Sequence, residues 1–310
     1  MEFRRLGNSG LKVSEIGLGG NNFGNRADEQ TSINIINHAL ELGINFIDTA
    51  ELYTQGRSEE IVGKAIKRKR LQVIIATKFG YPRDVGPNEQ GGSRNYIMKA
   101  VDSSLRRLNT DYIDLYYIHF ADTETPIEET LRALDDLVRA GKVRYIGCSN
   151  FNAWQLCEAM WTSKLYNLES FVAVQPRYNL LDRSIEREMV PCCQAYGVGV
   201  IPWGPLASGF LTGKYRRGQE IPADVRLANP MSIYADILND ANFDKLAKLE
   251  AFAEKCGHSV GELAIAWLLS HPWLGSVIAG AMNIEQLSAN TAAVSWKLTP
   301  EDTVQLDKIP

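Results

Sequence analysis

The sequence predicts an α/β fold, a (β/α)8 TIM barrel with an N-terminal β-hairpin and accessory C-terminal helices, in a single domain over residues 1–310. Three observations carry this reading. Short apolar runs of strand length recur eight times, segments with helical spacing separate them, and three of the runs carry an ionisable residue in their last two positions. Eightfold strand-helix alternation is the pattern of a closed parallel barrel rather than an open sheet.

The runs fall at 16–19, 45–49, 73–78, 112–119, 144–149, 171–175, 199–203 and 276–279. Before the first of them, residues 3–14 place Gly7-Asn-Ser-Gly10 between two short runs, which predicts a hairpin plugging the barrel floor. In 95–108, Ile97, Val101, Leu105 and Leu108 share one helical face, as do Ile127, Leu131, Leu134 and Val138 further on. Thr125-Pro-Ile-Glu128 predicts that second helix's start, with Thr125 as cap and proline in the first position. Residues 206–240 hold Gly209, Gly213, Gly218, Pro222 and Pro230 without a sustained period. A loop of that length inside a compact domain is expected to be functional or disordered. Thr299-Pro-Glu-Asp opens one more capped helix, expected on the barrel's outside.

Composition narrows the function classes. With 45% apolar and 23% charged residues the chain reads as an ordinary globular protein. A net charge of −4 gives no basis for nucleic-acid binding or membrane attraction. No apolar stretch is long enough to span a bilayer and no leader pattern opens the chain, so the cytoplasm is expected. The five cysteines and four histidines lack metal-ligand spacing, so no metal is expected. Gly17-Leu-Gly-Gly-Asn-Asn lacks the third glycine of a Rossmann fingerprint.

The chemistry concentrates in four residues. Asp48, Lys78 and His119 each fall at the last turn of an apolar run, and Tyr53 follows Asp48 by five positions. If the three strands are neighbours in a barrel, all four converge on the C-terminal rim, where such barrels do their chemistry. A carbonyl that accepts hydride needs a proton on its oxygen, and a free phenol, with a pKa of about 10, is a poor donor. A neighbouring ammonium stabilises phenolate and lowers that value by roughly 1–3 units. Lys78 supplies the charge, Asp48 holds and balances it, and His119 orients the carbonyl oxygen. The set reads as general acid catalysis with electrostatic support.

These residues and their surroundings resemble the aldo-keto reductases, in the branch that includes the β subunits of voltage-gated potassium channels. The resemblance runs from Leu6-Gly-Asn-Ser-Gly-Leu-Lys-Val-Ser to Glu285-Gln-Leu-Ser-Ala-Asn290, through Gly43-Ile-Asn-Phe-Ile-Asp-Thr-Ala, Ala76-Thr-Lys-Phe-Gly and Gly141-Lys-Val-Arg-Tyr-Ile-Gly-Cys-Ser-Asn. It implies reduction of aldehydes or ketones with a nicotinamide cofactor and Tyr53 as proton donor. By the same resemblance Ser149, Asn150 and Gln175 bind the nicotinamide amide and Trp203 stacks on its ring. Gly204, Pro205, Leu206, Ser208, Leu211 and Lys214 fall at cofactor-contact positions from the seventh strand into the covering loop, and Gly280, Gln286 and Asn290 at the adenosine end.

One position departs from that pattern. Met282 and Asn283 stand where many relatives place a cation for the adenosine 2′-phosphate. Arg226 resembles a loop arginine that serves this purpose in the channel-subunit branch. NADP(H) is therefore expected, with NAD(H) use left open. Phe23, Tyr81 and Phe120 follow strands and are expected to wall an apolar substrate pocket, with Arg177 and Asn179 as a polar alternative. The expected partner is a small carbonyl compound. The alternative reading is a nicotinamide-sensing regulatory subunit with little or no turnover.

Overall fold

The computed structural model describes residues 1–82, 86, 88–221, 227 and 237–309. An antiparallel hairpin, β1 (Phe3–Arg5) and β2 (Lys12–Ser14), precedes an eight-stranded parallel sheet. The sheet comprises β3 (Ile16–Gly19), β4 (Phe46–Asp48), β5 (Ile74–Phe79), β6 (Ile113–Ile118), β7 (Val143–Ser149), β8 (Ala173–Gln175), β9 (Gly199–Val200) and β10 (Val277–Gly280). Their order is β10-β3-β4-β5-β6-β7-β8-β9. Parallel bridges from Val200 to Leu274 and from Trp203 to Ile278 join the two ends and close the barrel. β9 is shorter than its apolar run because Pro202 has no N–H to give a ladder. Its carbonyl instead accepts the Ile278 N–H at 3.1 Å.

The described α-helices are α1 (Glu29–Glu41), α2 (Arg57–Ile66), α3 (Arg94–Leu108), α4 (Ile127–Arg139), α5 (Ala153–Tyr166), α6 (Met189–Tyr196), α7 (Asp240–Lys255), α8 (Val260–Leu269), α9 (Ile284–Ala292) and α10 (Pro300–Asp307). Their ends follow side-chain chemistry. Ser93 caps α3, and reciprocal boxes form between Asn152 and Gln155, Ser259 and Glu262, and Thr299 and Asp302. The start of α4 differs from its sequence signature. The Thr125 hydroxyl donates to Asp122 Oδ2 at 2.7 Å, so the helix begins one residue late without a side-chain cap. A carboxylate competes better for the hydroxyl than a helix N–H does.

Strand periodicity places the site. Alternate side chains face the barrel axis. Phe46, Ala76, Leu115, Tyr117, Ala173, Ile201 and Ile278 form an interior apolar cluster. Two residues further along their strands, the same alternation sends Asp48, Lys78, His119 and Gln175 inward above that layer. The register is consistent with this, pairing Asp48 with Ala76 and Lys78 with Tyr117. Gly147 makes room for the layer, since a Cβ there would lie 2.6 Å from Tyr117 Cε1. The outward strand residues, among them Leu18, Ile47, Ile75 and Val174, pack under the helices in the main core.

The hairpin seals the other end. Leu6 and Val13 belong to the interior cluster, and both are fully buried. The turn is docked on the α6–β9 junction, where the Asn8 N–H donates to Gly197 O at 2.8 Å. Gly7 has φ +52°, and a Cβ there would lie 2.2 Å from Gly197 O. Gly7→Ala is therefore expected to lower the unfolding free energy by at least about 1 kcal/mol, measured by urea titration.

Candidate active site

Lys78 is fully buried, and its ammonium is held by three oxygens. It donates to Asp48 Oδ1 at 2.5 Å, to Thr49 O at 2.9 Å and to the Tyr53 hydroxyl at 3.4 Å. Asp48 is itself fixed from across the barrel, where Gln175 Nε2 donates to its Oδ2 at 2.8 Å. Burial works against the charged form of Lys78. The Asp48 carboxylate and the Tyr53 oxygen outweigh it and hold the lysine above its ordinary value. The amine is thus a permanent cation at neutral pH, beside a phenol.

Local backbone brings Tyr53 to this position. The chain turns immediately after it, with Thr54 at φ 50° and Gln55 at φ 56°, both in the left-handed region. Such conformations cost free energy and persist where surrounding contacts impose them. One such contact is Thr54 Oγ1, which donates to Phe23 O at 2.9 Å.

His119 completes the four. Its ring meets Tyr53 edge-on with centroids 6.2 Å apart, and Phe120 stacks beside it at 5.4 Å. Burial, and secondarily the Lys78 charge, push its pKa well below the ordinary imidazole value, so it is neutral at physiological pH. Nδ1 is buried with no hydrogen-bond partner among the described residues. A bare buried acceptor is tolerated better than an orphaned N–H, which assigns the proton to Nε2. His119 then offers a neutral donor to a carbonyl oxygen. The same shift has a stability consequence. The unfolded chain protonates His119 below about pH 6.5 whereas the folded chain does not, so acid favours unfolding there. The urea midpoint of the wild type should fall more between pH 7 and pH 5 than that of His119→Gln.

Asp48, Tyr53 and His119 open into a cavity of about 950 Å³. Of the residues the sequence assigned to cofactor, Ser149, Asn150, Gln175, Trp203, Gly204, Pro205, Leu206, Ser208, Lys214, Gly280, Gln286 and Asn290 all line it. A chain of hydrogen bonds fixes the Trp203 ring. Its Nε1 donates to Asn150 Oδ1 at 3.1 Å, and Asn150 Nδ2 donates to His119 O and Ser149 Oγ, each at 3.0 Å. Ser208 Oγ is buried without a partner among the described residues, on a segment whose backbone turns left-handed at Ala207, Ser208 and Gly209. An orphaned hydroxyl in a groove wall, with Lys214 on the same wall, fits a cofactor's phosphate oxygens.

Phe23 and Leu211 stand elsewhere. Phe23 is fully buried in the core and is absent from the cavity wall, because its turn tucks the ring under Gly20. Leu211 is likewise buried and packs into the core. Arg226 and part of the covering loop at 206–240 lie outside the described residues. Tyr81 and Phe120 do line the cavity, edge to face at 5.2 Å. Asn21, Asn22, Arg26, Ser259, Gly261 and Glu262 also line it, and sequence reasoning missed them. The Ser259–Glu262 capping signature was readable, but nothing in it pointed toward a cavity.

Comparison with known proteins agrees with this geometry. The Aldo/keto reductase family profile matches residues 15–310. The chain is 39% identical over its whole length to a probable voltage-gated potassium channel subunit beta of Arabidopsis thaliana, covering 95% of that protein. Versiconal hemiacetal acetate reductase of Aspergillus parasiticus is 37% identical, with 99% of this chain and 96% of that protein aligned. L-glyceraldehyde 3-phosphate reductase of Escherichia coli O157:H7 is 34% identical over 99% of this chain and 92% of its own length. A family profile spanning nearly the whole chain, on a barrel that carries this four-residue site, places the protein in the aldo/keto reductase family.

Proposed function

We propose that the protein reduces aldehyde or ketone carbonyls to alcohols, using NADP(H) and Tyr53 as the general acid. The observation that carries this reading is the Lys78 ammonium, buried against Asp48 and 3.4 Å from a phenol that faces the cavity. A bound nicotinamide supplies the hydride. His119 donates to the carbonyl oxygen and holds it toward Tyr53, which gives up its proton as negative charge develops. Lys78 stabilises the phenolate left behind, and Asp48, anchored by Gln175, keeps Lys78 in place. Trp203 would present a flat face to the nicotinamide ring, and Ser208 and Lys214 would meet the phosphates. Relatives named as reductases support the same reaction class.

The assay is oxidation of NADPH and NADH with a panel of aldehydes, ketones and sugars, with Tyr53→Phe as the control. Absence of turnover across the panel would sink the proposal. It would favour the second reading, a nicotinamide-sensing subunit of another protein, which the likeness to channel β subunits supports. Arg226 is proposed to bind the 2′-phosphate in place of the cation absent at Met282. Arg226→Ala should then raise the KM for NADPH about ten-fold or more, as expected for loss of a charged hydrogen bond of roughly 1.5–3 kcal/mol. The KM for NADH should change far less, and equal effects on both would refute the role.

A further inference from the structure

One cation on the cavity wall is unused by the reaction above. Arg26 lines the cavity, is exposed, and forms no ion pair among the described residues. Acidic residues are close in sequence, yet each is engaged elsewhere. Asp28 Oδ1 accepts the Thr31 N–H at 2.7 Å as the cap of α1. Glu29 pairs with Arg57 and, at 2.6 Å, with Lys64, and Glu60 pairs with Arg57 at 2.6 Å. Among the described residues no carboxylate pairs with Arg26, which lines the cavity.

A tight turn sets its backbone. The Gly24 N–H donates to Ala27 O at 2.8 Å, and the Ala27 N–H donates to Asn22 O at 3.0 Å. The Thr54 hydroxyl bond to Phe23 O fastens this turn to the segment that carries Tyr53. Elsewhere on the wall, Tyr81 and Phe120 offer ring surface, and Arg177 is held by Asp182 at 2.5 Å. A cation on a hydrogen-bonded turn, sharing a cavity with an apolar wall and a proton donor, suits a molecule with a carbonyl at one end and an anion at the other.

We propose that Arg26 determines specificity by receiving the carboxylate or phosphate of an anionic carbonyl substrate. The inference rests on the reductase reading and names its substrate class. A guanidinium meets the same chemistry in the cofactor's pyrophosphate, so the test must separate the two sources.

The test compares 4-carboxybenzaldehyde with benzaldehyde, for the wild type, Arg26→Gln and Arg26→Lys. The wild type should favour the carboxylate by at least ten-fold in kcat/KM, expressed in KM. Arg26→Gln should bring that ratio close to one, and Arg26→Lys should keep part of it. Dissociation constants for NADPH and NADH, followed by quenching of tryptophan fluorescence, should stay within two-fold. A wild-type ratio near one, or a ratio that survives Arg26→Gln, overturns the proposal. Weakened cofactor binding in Arg26→Gln with an intact ratio assigns the arginine to the pyrophosphate and also overturns it. If neither aldehyde is turned over, the reductase reading fails separately. Calorimetric binding of 4-carboxybenzyl alcohol to the cofactor-loaded protein still decides the role of Arg26. Loss of that binding in Arg26→Gln supports the proposal, and equal binding refutes it.

Discussion

Tyr53→Phe should reduce kcat/KM for carbonyl reduction by at least about 10³-fold while leaving cofactor affinity within two-fold. The substitution removes one oxygen, and that oxygen is the proton donor in the proposed reaction. General acid catalysis contributes roughly 10²–10⁴-fold, and loss of the group that stabilises the developing alkoxide adds to it. The ring remains, so packing against His119 and the turn at Thr54 should persist. Stopped-flow measurement of NADPH oxidation, with fluorescence titration of the cofactor, separates chemistry from binding. A variant that keeps more than a tenth of wild-type kcat/KM would remove Tyr53 from the mechanism.

Lys78→Met should be nearly as damaging to turnover and, unlike Tyr53→Phe, should destabilise the fold. The lysine is fully buried and balances Asp48, which is 2% exposed. Breaking a buried pair by removing one partner costs roughly 3–5 kcal/mol, because the remaining charge is uncompensated. Gln175 still donates to Asp48, which favours the lower end of that range. The double variant Asp48→Asn/Lys78→Met should recover much of the lost stability, since no buried charge remains, but none of the activity. Urea unfolding of the two single variants and the double variant closes the cycle. Additive losses would mean that the two residues are not coupled.

Much of the site was legible because strand ends are legible. Asp48, Lys78 and His119 each fall at the last turn of an apolar run, and in a parallel barrel the ends of the runs share a rim. Tyr53 gained meaning only from its distance to Asp48, and the structure brings its hydroxyl to Lys78 Nζ. Loop residues were harder to place. Phe23 and Phe120 both follow strands and read alike, yet one ring turns into the core and the other into the cavity. That choice depends on the turn at Asn22–Ala27, whose hydrogen bonds leave no periodic trace in the sequence. Arg26 was missed for a related reason. Its lack of an ion pair among the described residues goes with Asp28 and Glu29 being engaged elsewhere, which only three-dimensional contacts reveal. Thr125 illustrates the opposite failure, a sound capping signature lost to a nearby carboxylate.

The central claim is that the charge of Lys78 sets the proton affinity of Tyr53. The pH dependence of kcat/KM for aldehyde reduction tests it most directly, measured on the wild type and on Lys78→Met under saturating cofactor. Reduction requires the protonated phenol, so the rate falls at alkaline pH as that proton is lost. The account predicts that Lys78→Met lowers the plateau and moves the alkaline limb to higher pH, because a phenol without a neighbouring cation holds its proton more tightly. A limb that stays at the wild-type pH in Lys78→Met would contradict it.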